Sequence, residues 1–219
     1  MIAENSKVTR QAIIDACQES NRSGLNQGTS GNISARTNQG VVITPTSRPY
    51  ETMMPDDLAL LPFGGKYGDY SGPYKPSTEW RFHFDIYEAR PDVNAIVHVH
   101  STYATVLSML RKEIPACHYM IAAFGGPNIR CSEYAVFGSK ELSAHVVKAL
   151  DGRSGCIMGT HGMIAVGASL DKAMWLAIEL ETIAKQYYLA LQIGQPVILS
   201  DEEIERVRLR MKDGYGIWT

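Results

Sequence analysis

The segment Val93-Asn94-Ala95-Ile96-Val97-His98-Val99-His100 constrains this chain more than any other. It is short, apolar and rich in β-branched residues, which predicts a buried strand. Side chains two apart on a strand project from one face, so the rings of His98 and His100 aim at a common spot. A helix is predicted to begin directly afterwards at Ser101-Thr102. That puts the pair at a strand end, where sites in α/β folds gather. Two neutral imidazoles aimed at one point are half of a Zn²⁺ site. On the pair alone, two hydrogen-bonded histidines at a sheet edge fit equally well, so other residues must decide.

Around this strand, hairpin signals alternate with helical ones. Helices are predicted over 8–22, 77–89, 102–112, 139–150, 169–193 and 201–212, from apolar spacing, Ser caps and Gly or Pro stops. Strands are predicted from Ile33 and over 41–43, with Asn38-Gln39-Gly40 as the turn between them. Further strands fall over 58–61, 156–158 and 163–166, with short extended pieces at 116–122 and 129–131. The span 64–76 holds four glycines and two prolines and reads as a long surface loop. Hairpins interspersed with helices predict an α/β fold whose sheet is mostly antiparallel or mixed.

Composition narrows the partners. The net charge is −2 over 219 residues, and the Arg206/Arg208/Arg210 stretch is mixed with Glu202, Glu203 and Glu205. Nothing there predicts nucleic acid or a membrane surface as a partner. The N-terminal residues lack a secretory pattern, and no apolar segment reaches the ~20 residues of a bilayer span. The cysteines at 17, 117, 131 and 156 are widely spaced, which suits reduced thiols and a cytoplasmic location.

Further residues tip the balance at the histidine pair. His161 sits in Gly159-Thr160-His161-Gly162 between two strands, a turn that displays a ring instead of packing it. It would supply the third nitrogen of a catalytic site that keeps an open position. Glu79 is placed in the first turn of the helix starting at Ser77, where the dipole favours a carboxylate. Glu79 and His83 stand four apart, which also permits chelation by that pair. Because His83 lies beside the apolar stripe Trp80/Phe84/Tyr87, a partly buried, hydrogen-bonded role is expected for it. His118 and His145 have no partner at metal-ligand spacing.

Three segments suit an anion. Gly28-Thr29-Ser30-Gly31-Asn32 offers backbone N–H groups that can form a nest, Thr44-Pro45-Thr46-Ser47 offers hydroxyls, and Ser77-Thr78 opens a helix. No Gly-x-Gly-x-x-Gly or Walker pattern is present, which argues against a nucleotide.

Taken together, 28–34, 43–47, Pro76 to His83, His98-Val99-His100 and Thr160-His161-Gly162 resemble the class II aldolase/adducin family. The likeness continues through 114–123, 134–138 and 199–204, in order, so that residues 1–219 are expected to form a single domain. The resemblance implies a three-layer α/β/α fold with the sheet between helical layers. It implies a metal held by His98, His100 and His161, with Glu79 as acid/base and as a ligand when substrate is absent. Zn²⁺ is the implied ion, with Mn²⁺ or Co²⁺ as alternatives. The substrate phosphate would be held by Gly31, Asn32, Thr46, Ser47, Ser77 and Thr78. Tyr119 would protonate the aldehyde oxygen from a neighbouring subunit, while Phe137 and Tyr215 would shape the aldehyde end. A cyclic homotetramer with sites between subunits is implied as well. Two departures stand out: Ser47 where the family pattern has glycine, and Val99 where it has asparagine.

The implied reaction is reversible cleavage of a ketose 1-phosphate to dihydroxyacetone phosphate and a short aldehyde. Candidates are L-fuculose, 5-deoxyribulose and 5-methylthioribulose 1-phosphates. One rival is a ribulose-phosphate 4-epimerase on the same metal site, which would need an additional aspartate. Another is a non-catalytic adducin-like interaction module, against which the presence of all the metal histidines weighs.

Overall fold

A computed structural model describes residues 2–212 of the chain. Its centre is a seven-stranded sheet in the order β3-β2-β1-β4-β9-β8-β7. The strands are β1 (Asn32–Thr37), β2 (Gly40–Ile43), β3 (Ala59–Pro62), β4 (Ala95–Val99), β7 (Cys131–Ser132), β8 (Gly155–Met158) and β9 (Gly162–Gly167). A separate short ladder joins β5 (Ile114–Pro115) to β6 (Asn128–Ile129). Every pairing in the large sheet is antiparallel except β7 with β8, so the sheet is mixed, as the hairpin signals predict.

Both faces of the sheet are covered, because alternate residues of each central strand are apolar on opposite sides. Val97 of β4 joins a core with Ile13 and Ile14 of α1 (Lys7–Arg22) and with Leu176 and Leu180 of α5 (Leu170–Ile193). Leu107 of α3 (Thr102–Met109) packs in the same layer. Ile96 faces the other way, into a core with Phe82 and Ile86 of α2 (Trp80–Ala89) and Leu142 and Val146 of α4 (Lys140–Ala149). The result is the three-layer α/β/α arrangement. The last helix, α6 (Asp201–Lys212), packs by Ile204 on the first core. Among the described residues no helix is long and apolar enough to cross a membrane.

Three expectations are corrected. The segment 116–122 is not extended: His118 accepts a hydrogen bond from the Met120 N–H and starts a 3₁₀ helix over Tyr119–Phe124. Helix α2 begins at Trp80, so Glu79 is its N-cap residue instead of lying in its first turn. The buried face of α2 is Phe82/His83/Ile86/Tyr87 and not Trp80/Phe84/Tyr87. Trp80 and Phe84 are half-buried at the edge of that core and are covered by Tyr67 of the 64–76 loop, with ring centroids 5.0 and 5.7 Å away. Helical spacing identifies a stripe, but a long loop folding back over the outer face makes a second apolar surface that spacing cannot assign.

Candidate functional site

His98 stands next to the last residue of β4, in register with Asn32 of β1 on one side and Ile164 of β9 on the other. Its Nδ1 hydrogen-bonds the Met163 carbonyl at 2.9 Å. A carbonyl only accepts, so Nδ1 carries the hydrogen and Nε2 of the neutral ring carries a lone pair. His100 lies just past the strand end, and its Nε2 is 3.2 Å from His98 Nε2. His161 arrives from the turn between β8 and β9. The three rings stand 4.9 to 5.0 Å apart at interplanar angles of 71 to 80°.

That turn is built to close tolerances. Its backbone is pinned to the end of α3, where Ser108 accepts from Thr160 N–H (2.9 Å) and from His161 N–H (3.2 Å). Thr160 holds φ +55°, a costly conformation for a β-branched residue. At Gly162 a Cβ would meet the Val99 carbonyl oxygen at 2.7 Å and His100 Cδ2 at 2.8 Å, so only glycine lets this strand pass the His100 ring.

Glu79 completes the cluster. Its Oε2 is 3.1 Å from His98 Nε2, and its Oε1 is 3.2 Å from His161 Nε2. Oε1 is buried and, at that contact, lacks the alignment of a hydrogen bond. Burial by itself raises the Glu79 carboxyl, yet the adjoining His98 and His161 rings outweigh it and hold the group well below the usual carboxylate range. Burial, with His98 and His161 alongside, pushes His100 down to about 4. The four side chains therefore turn three ring nitrogens and a carboxylate toward one point, and their ligand atoms all lie within 4.8 Å of one another. Tetrahedral ligation with bonds of ~2.0–2.1 Å sets ligand atoms ~3.3–3.4 Å apart. The 3.1 and 3.2 Å separations match that spacing, so this donor set fits a divalent cation such as zinc.

His83 does not join the cluster. It is fully buried behind Glu79, hydrogen-bonded through Nδ1 to Ser34 Oγ (2.7 Å) and through Nε2 to Asn32 Oδ1. Burial first, with the His98 ring alongside, pushes it down to about 3, so it is a neutral ring. His145 lies 3.7 Å from Glu141 of its own helix, remote from the cluster chemistry.

The anion segments converge. Thr44, which opens the second of them, links it to the other two: its N–H donates to the carbonyl of Ile33, next to Asn32, and its carbonyl accepts from Ser77 N–H. Thr46 N–H donates to the Lys75 carbonyl, so 44–47 runs beside 75–78. Gly31 passes so close to β4 that a Cβ would lie 2.5 Å from the His98 carbonyl oxygen. Ser47 and Thr78 are exposed, Thr46 is half-buried and Ser77 is buried. Ser47 holds φ +55°, the left-handed conformation that glycine adopts without cost. Asn32 differs from the rest of this set, because its side chain is buried and donates to Glu79 Oε2 at 3.0 Å.

An open cavity of about 390 Å³ lies over the cluster, lined by Thr78, Glu79, His100, Tyr134, Ala135, Phe137, Thr160 and His161. Phe137 therefore faces the same space as Glu79. Tyr119 is exposed on its 3₁₀ helix and is not among that lining. Tyr215 lies outside the described residues.

Sequence reasoning missed several supports. Glu181 of α5 accepts from Ser101 Oγ, Tyr103 N–H and Ala104 N–H at 2.7 to 2.9 Å, tying down the chain directly after His100. Ser34 and Tyr87 stand behind His83, with Tyr87 Oη 2.9 Å from Ser34 Oγ. Their only sequence signal was polar groups at positions that strand alternation and helical spacing turn inward.

Residues 11–188 match the family described as class II aldolase and adducin N-terminal domain. The L-fuculose phosphate aldolase of Shigella flexneri is 47% identical over 215 residues, 98% of each chain. The 5-methylthioribulose-1-phosphate/5-deoxyribulose-1-phosphate aldolase of Rhodospirillum rubrum is 46% identical over 207 residues, 94% of this chain and 92% of that one. A solved L-fuculose 1-phosphate aldolase superposes with a TM-score of 0.90 at 37% identity, covering 94% of this chain and 97% of that one.

Proposed function

This chain belongs to the class II aldolase and adducin family, and from that premise we propose that it is a metal-dependent sugar-phosphate aldolase. It cleaves a ketose 1-phosphate reversibly to dihydroxyacetone phosphate and a short aldehyde. The observation that carries this reading is the convergence of His98, His100, His161 and Glu79 beneath one open cavity.

Three imidazoles and one carboxylate suit zinc among common divalent cations. Bound there, the cation supplies a Lewis acid for the charge that develops when the carbon–carbon bond breaks, worth several kcal/mol. Glu79 moves the carbon-bound proton: in the synthetic direction it takes the proton from dihydroxyacetone phosphate, and in cleavage it returns it. It is held ionised, the state that can accept a proton. A positioned group of that kind contributes roughly 10²–10⁴-fold. Gly31, Thr46, Ser47, Ser77 and Thr78, with Asn32, hold the phosphate by neutral donors and fix the reacting carbon without taking part in bond making. Tyr119 of a neighbouring copy in a homotetramer handles the proton on the aldehyde oxygen, which suits its exposure and its absence from the cavity wall of its own chain.

At the aldehyde end the wall is apolar, with Ala135 and Phe137 in the lining and Val136 exposed beside them. This favours an aldehyde ending in a methyl or methylthio group, as L-fuculose, 5-deoxyribulose and 5-methylthioribulose 1-phosphates would release. A coupled assay for dihydroxyacetone phosphate across these three substrates tests the reaction and ranks the aldehydes. Glu79→Gln is expected to retain metal on the three histidines while losing at least about a hundredfold in turnover. Full turnover by that variant would remove Glu79 from the chemistry.

A further inference from the structure

Behind Glu79 a line of buried polar groups runs into the protein. Asn32 Nδ2 meets Glu79 Oε2 at 3.0 Å, and Asn32 Oδ1 meets His83 Nε2. His83 Nδ1 meets Ser34 Oγ at 2.7 Å, and Ser34 Oγ meets Tyr87 Oη at 2.9 Å. Asn32, Ser34, His83 and Tyr87 are all at most 3% exposed. Polar groups so placed must pair with one another, since water is excluded.

Hydrogen counting gives the line one polarity. An ionised carboxylate accepts only, so Asn32 must present its amide N–H to Glu79 and its Oδ1 to His83. His83 must then carry its single hydrogen on Nε2, leaving Nδ1 to accept from the Ser34 hydroxyl. Ser34, having donated, accepts from Tyr87. Reversing any member sets two acceptors against each other and reverses the rest, ending with Asn32 Oδ1 against the carboxylate at 3.0 Å. The polarity of the whole line is therefore set by the charge of Glu79, and it in turn fixes which way the Asn32 amide faces.

We propose that His83, Ser34 and Tyr87 are positioning residues that act through Asn32, locking the Glu79 carboxylate by Oε2 and leaving Oε1 to carry the proton. This rests on the reading of Glu79 as the proton-transfer group. Oε1 has no aligned hydrogen-bond partner among the described residues, as that division of labour requires. The line also explains why α2 buries a histidine and a tyrosine where its other buried positions, Phe82 and Ile86, are apolar.

The test uses the full-length, metal-loaded protein. His83→Phe keeps the ring shape and removes the Nε2 hydrogen, whereas His83→Gln restores an N–H near that place. His83→Phe is expected to lower kcat by about 10–100-fold, with KM for the ketose 1-phosphate and metal content nearly unchanged. His83→Gln should recover most of that loss. Wild-type kcat in His83→Phe, or equal impairment of both variants, would overturn the proposal. Where His83→Phe fails to fold, the wild-type protein still decides: ¹⁵N-histidine NMR should show His83 with its hydrogen on Nε2. A hydrogen on Nδ1 would reverse the line and refute it. Absence of turnover in the wild type would instead refute the proposed reaction, and the tautomer would remain readable.

Discussion

Two groups of histidine lie within one site and differ in a single respect. His83 has both ring nitrogens occupied, by Ser34 and Asn32. His98, His100 and His161 point their Nε2 atoms at one another and at Glu79, at separations of 3.1 to 3.2 Å. Both groups are largely sequestered from water, so burial does not separate them. What separates them is spare bonding capacity: the first is a closed polar network, and the second is complete only when a cation fills it. Buried polar groups are normally satisfied. A set of ring nitrogens and a carboxylate converging at metal-ligand spacing is therefore a stronger mark of function than the histidines themselves.

Metal removal strikes that difference hardest. Chelation, or His98→Ala, is expected to reduce turnover at least about a thousandfold, the several kcal/mol of charge stabilisation that a bound cation provides. Restoration of the chelated wild type by zinc, followed by metal analysis, checks it; activity indifferent to chelators would erase the contrast.

Gly162→Ala tests whether the open cluster depends on its frame. The new methyl group would press on the Val99 carbonyl and the His100 ring. A loss of about 1–3 kcal/mol in stability and a roughly 10–100-fold weaker hold on metal are expected, by urea unfolding and metal titration.

Acid tests the closed group. His83 titrates near 3 when folded against 6.5 when exposed. Below pH 6.5 the unfolded chain binds the extra proton, so His83 contributes fully above that pH and its contribution fades toward pH 3. Between pH 7 and 5 this amounts to about 2 kcal/mol of lost stability. His83→Phe should show a correspondingly shallower decline in urea midpoints over that range.

The smallest effects concern the strained turns. Thr160→Gly releases a β-branched residue from φ +55° and is expected to stabilise the fold by about 1 kcal/mol. Ser47→Gly, at the same φ, should gain less, since serine is not branched at Cβ with carbon and glycine loosens the unfolded chain. If thermal unfolding ranks them the other way, backbone strain is not what distinguishes these loops.

Much of this was visible in the residues. The His98 and His100 pairing followed from strand alternation, and His161 followed from a glycine-framed turn between strands. The order of helices and hairpins indicated a mixed sheet. The 3₁₀ helix at Tyr119–Phe124 was not visible, because His118 caps it through a local side-chain contact that apolar patterning does not register. Nor was the depth of His83, since its partners Asn32 and Ser34 lie 51 and 49 residues away in the chain. Asn32 reads as a phosphate ligand among glycines and hydroxyls, and its further contact with Glu79 is not visible there. Its register opposite His98 is what brings it against Glu79.

Sequence by itself settled which residue types were available and which local period each obeyed: imidazoles at a strand end, glycines where backbones pass closely, hydroxyls in turns. Those are consequences of short-range sterics and of alternation along a few residues. Only the tertiary structure decided which nitrogens share a point, which are already satisfied, and which carboxylate oxygen is left free. The reason is physical: hydrogen-bond partnership is a matter of a few ångströms, and antiparallel pairing of β1, β4 and β9 sets distant residues that close.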